Sequence, residues 1–393
     1  MKPSIHPFPA RMAPDLALRS LKKLKGGTVL DPMSGSGTVP RMARQRGLEA
    51  LGFDLDPLAV LMSKVATTPI NDDTVELLEE RLLKKARALD GRDIELPWID
   101  GDPEAERFVD YWFGEKQRGD LRRIAYLLWN ADIIDLPDEV ANAFRIALSR
   151  IIVTKHRAAS LAADTSHSRP HRTALVSDYD VLEGFAKSIK VVRKRLADIP
   201  KTGAVTIRRG DARDLSVLKD ASVDAVLTSP PYLNAIDYMR GHRMSLIWLG
   251  HHYKDLTATR SNSIGSERKA DVPFELECHK AMKAAMGNLG ALPSRYHGMV
   301  ERYVIDMHKM ASEVVRVLRA GCRATFVMGD SCLHGVFIRN SEALAVAGEM
   351  VGLGRPRRRQ RDLPSGSRYL PTPDSGKLSK RMRREVILFF KKP

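Results

Sequence analysis

Short apolar runs that stop abruptly at turns recur towards both ends of the 393-residue chain. Residues 28–31 form one such run, introduced by Gly26-Gly27 and closed by a glycine-rich turn. A helical pattern then extends through Met42 and Arg46. Residues 48–54 read as a second strand, and Pro57 opens another helix. Strand and helix alternating in this way predict parallel pairing in an α/β sheet. At Asn71 the pattern changes. Up to about Pro200, apolar positions recur at helical spacing among many charges and predict helices over 74–89, 119–130, 139–153 and 179–196. Between them, 155–172 is rich in Ser, His and Arg and reads as an exposed loop. Strand patterning returns at 204–207, followed by Gly210-Asp211-Ala212, and again at 223–227. An irregular stretch occupies 251–298. Beyond it come a helix over 303–318, a strand over 324–328 that runs into Gly329-Asp330-Ser331, a helix over 341–351, and a closing apolar strand over 384–390. No internal repeat is evident.

The units outside the insertions suffice for one doubly wound sheet. The expected organisation is an α/β domain from 1–70 and 201–393, interrupted by a helical insertion at 71–200 that recognises a target or supports the sheet. A second variable insertion at 251–300 lies within the α/β domain. Hydrophobic content of 43% and charged content of 28% are those of an ordinary globular protein. The net charge of +16 points to a polyanionic partner, with a merely solvated basic surface as the plain alternative. Three cysteines, Cys278, Cys322 and Cys332, form no C-x-x-C pair, which argues against a disulfide framework and against a zinc site. The histidines show no metal-binding spacing, so no metal is expected. No apolar stretch reaches membrane-spanning length, and the proline-rich first 21 residues have no signal-peptide core, so the expected location is the cytoplasm.

Two segments carry the candidate chemistry. The first is Asp31-Pro32-Met33-Ser34-Gly35-Ser36-Gly37-Thr38, a strand end running into a turn where Gly35 and Gly37 let a ligand approach the backbone closely. Pro40 follows and the third glycine of a dinucleotide fingerprint is absent, which disfavours a nicotinamide oxidoreductase. Asp54, nineteen residues after Gly35, ends the second strand, where a carboxylate can accept both hydroxyls of a ribose. Asp211, just past the third strand, is placed to accept from an adenine amino group. Singly, each aspartate reads as a cap or turn residue. Acids at successive strand ends read differently, because open α/β sheets bind ligands outside those ends.

The second segment is Thr228-Ser229-Pro230-Pro231-Tyr232, directly after an apolar strand. Consecutive prolines restrict φ and stiffen the turn, fixing its carbonyl oxygens and the direction of Tyr232. The exocyclic amine of cytosine or adenine is a poor nucleophile, because its lone pair is delocalised into the ring. Hydrogen bonds accepted by Ser229 and by a proline carbonyl draw such an amine towards tetrahedral geometry, and Tyr232 can stack on a base rotated out of a duplex. No covalent intermediate is needed, and hence no cysteine. Ser229 has no G-x-S-x-G surroundings, so a hydrolase nucleophile is disfavoured. The plain alternative is a rigid turn with a packed tyrosine. Together the two segments point to methyl transfer onto a base amine with S-adenosylmethionine (SAM) as donor.

At these residues the chain resembles the DNA amino-methyltransferases, the N4-cytosine and N6-adenine group. Asp31 to Thr38 is similar to that family's first motif, with Asp31, Pro32, Ser34, Gly35, Gly37 and Thr38 as implied cofactor contacts. Asp54 is similar to its ribose-binding acid, and Gly210-Asp211 to its third motif. Ser229, Pro230, Pro231 and Tyr232 match its catalytic motif. His6-Pro7-Phe8-Pro9-Ala10-Arg11-Met12 resembles the segment that closes the SAM pocket, which makes Phe8 an implied cofactor contact. The resemblance covers roughly 1–70 and 201–393. It implies a Rossmann-like class I SAM-dependent methyltransferase sheet, double-stranded DNA with a flipped target base as substrate, and a cognate restriction endonuclease as partner. Serine in first place of the catalytic motif is commoner in cytosine N4 enzymes than in adenine N6 enzymes. The motif order, cofactor first, departs from many cytosine N4 enzymes. An adenine N6 enzyme, an RNA base amine methyltransferase and a non-catalytic nucleic-acid-binding protein are the competing readings. Basic runs at 355–361 and 380–384 read either as phosphate-tracking surfaces or as solvated faces.

Overall fold

The structure, a computed structural model of the chain, describes residues 5–7, 12–91, 94–155, 157–163, 170–197, 199, 202–233, 237–266, 276–363 and 384–393. It divides into two compact units. One comprises residues 1–9, 56–201 and 237–260, and the other 10–55, 202–236 and 261–393.

The second unit is built on a seven-stranded sheet. Its strands, in chain order, are β1 (Thr28–Asp31), β2 (Glu49–Asp54), β3 (Val205–Arg209), β4 (Val223–Thr228), β5 (Leu318–Gly329), β6 (Arg357–Asp362) and β7 (Arg384–Lys391). Their spatial order is β6-β7-β5-β4-β1-β2-β3. The five strands from β5 to β3 pair in parallel, and β7 runs antiparallel to both of its neighbours. The central strands are nearly continuous apolar runs because helices cover both faces of a parallel sheet. Val29, Leu30, Val226, Leu227, Phe326, Val327 and Leu388 are all buried. One cluster gathers Leu30, Val226, Phe326 and Leu388 with Tyr303, Val304, Met307 and Val314 of the helix His297–Val317. Another holds Val29, Leu227, Val327 and Ile387 against Ala17 and Leu21 of Pro14–Leu21 and Val39 and Ala43 of Thr38–Gln45. This is the α/β, Rossmann-like arrangement expected from the sequence.

The other unit is helical. Its main helices are Pro57–Thr67, Asp72–Ala88, Pro103–Trp112, Glu115–Trp129, Asp138–Ile152, Val181–Leu196, Tyr238–Leu246 and the first part of Tyr253–Asn262. Several begin on side-chain caps that satisfy otherwise orphaned amides: Asp56, Asn71, Asp102 and Asp180 each accept from the first turn that follows. Its own core contains Leu58, Met62, Leu82, Leu121, Phe144, Phe185 and Trp248. The helical unit takes in more chain than 71–200. The helix Pro57–Thr67 and the stretch 237–260 belong to it, because Leu58, Met62, Val65, Met244 and Ile247 are buried in its core.

The stretch 251–298, which reads as irregular in sequence, contains the helices Tyr253–Asn262 and Glu277–Met286 and two short 3-10 turns. The cationic run at 355–361 contributes β6, an edge strand in six-residue register with β7. Arg358 pairs with Glu342 and Arg361 with Glu385, while Arg357 lies over the Phe389 ring. Much of that run is thus engaged locally. Within the run at 380–384 only Arg384 falls among the described residues, and it pairs with Asp362. Among the described residues no helix is long and apolar enough to cross a membrane, and no cluster of three metal-ligating side chains occurs.

Candidate active site

The sequence-predicted residues converge on the carboxyl ends of β1, β2, β3 and β4. In the sheet β1 lies between β2 and β4, and Leu30 pairs with Val226. The turn after β1 and the Ser-Pro-Pro-Tyr segment after β4 therefore leave neighbouring parallel strands at the same sheet edge.

Gly35 and Gly37 have φ of 50° and 77°, the left-handed region that glycine enters without a Cβ penalty. Gly37 caps Thr38–Gln45, so the turn feeds directly into a helix N-terminus. Pro40 is the third residue of that helix. Its missing N–H has no partner to lose in the first turn. The amide of Gly37 donates to the Ser34 carbonyl at 2.8 Å, and the amide of Ser34 to the Phe53 carbonyl at 2.8 Å. The turn is thereby fastened to β2 as well as to β1.

Asp31 is buried. The Met33 amide donates to its carboxylate at 3.2 Å, and this and the nearby Thr228 side chain favour ionisation. Burial outweighs both, assisted by the negative charge of Asp54, and pushes its pKa up to about 7. A buried acid held this way gains from a nearby positive charge. SAM brings two, its ammonium and its sulfonium, and the glycine turn presents no side chain to block it, so the residues fit the donor. Asp54 accepts from the Gly35 amide at 2.8 Å, and its carbonyl accepts from the Gly210 amide at 3.0 Å. Three strand ends are therefore linked through Asp54.

Asp211 follows β3 and is held by Arg213. Nε lies 2.9 and 3.1 Å from its two oxygens, and Nη2 donates at 2.6 Å. Arg213 also reaches Asp306 at 2.7 Å and the Asn262 carbonyl at 2.6 Å. Burial lowers the charge preference of this guanidinium, and the two carboxylates more than restore it, so its pKa lies above the ordinary value. The sequence reading did not single out Arg213. Its position two residues after Asp211 is a local signal, but its bond to Asp306 spans ninety-three residues and has no trace in the sequence pattern.

In the second segment, Ser229 Oγ donates to the Val327 carbonyl of β5 at 2.9 Å. With its proton committed there, the hydroxyl oxygen is left to act as an acceptor. The Pro231 carbonyl accepts from the Tyr303 hydroxyl at 3.2 Å. Tyr232 is only 9% exposed and packs in the cluster that contains Phe53, Leu292 and Met299. A base stacking on this ring must first displace part of that cover. Phe8 lies outside the described residues.

No family model matches the chain. It is 23% identical to the Type II methyltransferase M.MvaI of Kocuria varians over an alignment covering 98% of this chain and 90% of that protein. It is also 23% identical to the Type II methyltransferase M.BsoBI of Geobacillus stearothermophilus, over 60% of this chain and half the length of that protein. Among solved structures, a SAM-dependent methyltransferase of Methanosarcina mazei aligns over 97% of this chain and 98% of its own, with a TM-score of 0.36 and 8% identity. The chain is thus similar nearly end to end to one Type II methyltransferase and in part to a second, a likeness that supports the DNA methyltransferase family.

Proposed function

We propose that this DNA methyltransferase moves the methyl group of SAM onto an exocyclic base amine of duplex DNA, cytosine N4. The observation that supports the reading is the adjacency of the two loops: the glycine turn after β1 and the Ser-Pro-Pro-Tyr segment after β4 leave paired strands at one sheet edge. The bound donor supplies a methyl group on a positively charged sulfur, ready for displacement in line. The rest falls to the chain. Asp31, Ser34, Gly35, Gly37 and Thr38 hold the donor, with Asp54 on its ribose and Asp211 towards its adenine. Ser229 Oγ and a proline carbonyl accept from the target amine, so that its lone pair turns out of the base plane towards the methyl. Held in this way, the amine would face the donated methyl group in line, and the methylated nitrogen would give its proton to water. Tyr232 stacks on the extruded base.

Serine at position 229 supports cytosine through the resemblance, since serine in that place is commoner in cytosine N4 enzymes. Adenine N6 is the second reading, since the shelf geometry suits either amine. The test is methyl incorporation from labelled SAM into unmethylated duplex DNA, followed by nucleoside identification. N4-methylcytosine supports the proposal. N6-methyladenine replaces it with the second reading, and transfer only to RNA refutes both.

A further inference from the structure

The Ser-Pro-Pro-Tyr segment has an unusual anchoring problem. Pro230 and Pro231 have no N–H, so the backbone there can be gripped only through its carbonyls. The Ser229 side chain fastens the start of the segment to the Val327 carbonyl. The Tyr303 hydroxyl, which donates to the Pro231 carbonyl, fastens its far end. Tyr303 is 1% exposed, one turn below Met299 and Val300 on a helix whose buried stripe continues through Val304, Met307 and Met310. It brings a hydroxyl into a stripe that is apolar apart from the neighbouring Arg302 and Asp306. A buried tyrosine hydroxyl is costly without a partner, and this one meets the segment that carries the proposed chemistry.

We propose that Tyr303 is a positioning residue for methyl transfer, one that sets the direction of the shelf by holding the Pro231 carbonyl. The proposal rests on the base-amine reading given above. With Pro231 held from behind, the carbonyl of Pro230 is the shelf's acceptor for the target amine, beside Ser229 Oγ. Burial and the neighbouring Asp330 carboxylate push the phenol well above its ordinary range, so it stays a neutral donor at every working pH. The O–H···O distance of 3.2 Å is long for this bond type, so the grip is moderate and its loss should slow the reaction rather than abolish it.

The test is Tyr303→Phe in the full chain, which keeps the ring and removes only the hydroxyl. Single-turnover transfer from pre-bound labelled SAM to excess unmethylated genomic DNA is expected to slow about tenfold. SAM affinity by calorimetry and duplex affinity should stay within about twofold of the parent. Installing 4-aminophenylalanine at position 303 restores a donor at the same place and should recover most of the rate. A Tyr303→Phe rate equal to the parent overturns the proposal. So does a loss of SAM affinity in proportion to the loss of rate, which would mark a general structural role. If the unaltered protein transfers no methyl group to any duplex, the base-amine reading itself fails, and the positioning role falls with it.

Discussion

The Gly35 amide donates to the Asp54 carboxylate at 2.8 Å, joining the turn after β1 to the end of β2. One carboxylate thus shapes the glycine turn and is also the proposed ribose contact. Asp54→Ala should raise the SAM dissociation constant at least tenfold and lower stability by about 1–2 kcal/mol, the cost of leaving the amide unpaired. Asp54→Asn keeps an acceptor for Gly35, so it should recover the stability and not the affinity. Calorimetry and thermal melting of both variants separate the two roles.

Asp31 makes donor binding pH-dependent. Its folded-state pKa of about 7 lies above the ordinary carboxyl value of 3.8. Between those limits the folded protein holds a proton that the unfolded chain has released. Stability therefore falls as pH rises through this window and levels off above it. A positively charged donor favours the ionised acid, so SAM affinity should rise from pH 5.5 to pH 7.5, with proton release on binding. Calorimetry in buffers of different ionisation enthalpy reads that proton directly. Asp31→Asn should flatten the profile, and an unchanged profile in that variant would sink the assignment.

Ser229 is expected to act on rate alone. Its hydroxyl is fastened to the Val327 carbonyl of β5 rather than to the glycine turn. Ser229→Ala should lower single-turnover methylation about 10²-fold, as when a hydrogen-bonding group aimed at the reacting centre is lost. SAM affinity should not change. Tyr232→Ala should abolish methylation while SAM is still bound, and full activity in that variant would count against base stacking.

Arg213 is a structural test of the same region. Its guanidinium neutralises Asp211 and the buried Asp306. Arg213→Leu leaves two carboxylates without that partner and should destabilise the sheet unit by about 3–5 kcal/mol, visible as a lower denaturant midpoint. Asp306 is already pushed above the ordinary carboxyl range by burial, with Arg213 opposing the shift. The variant should therefore recover part of its stability as pH falls and Asp306 protonates.

The central sheet is legible in sequence because its buried strands are apolar on both faces, as in 223–227 and 384–390. The glycine turn and the double-proline segment are legible because glycine and proline impose backbone geometry by themselves. What escapes follows from weak local patterning. The strand β6 has five of its six residues exposed, so it shows arginines where a central strand would show valines. The helix Tyr253–Asn262 buries only Leu256 and Thr259 and offers no apolar stripe to read. Tyr303 and Arg213 act across 72 and 93 residues and the Ser229–Val327 bond across 98, and such partnerships arise only once the sheet has formed.

Gly52 of β2 pairs with Ile207 of β3, so roughly 150 residues separate two neighbours in the sheet. During synthesis at about 5–20 residues per second, the first two strands wait on the order of 8–30 seconds for the third. The intervening chain carries a core of its own and can collapse in that interval. A long entropic tether then becomes a short, preformed one, and a long-range pairing is eased by the segment that interrupts it.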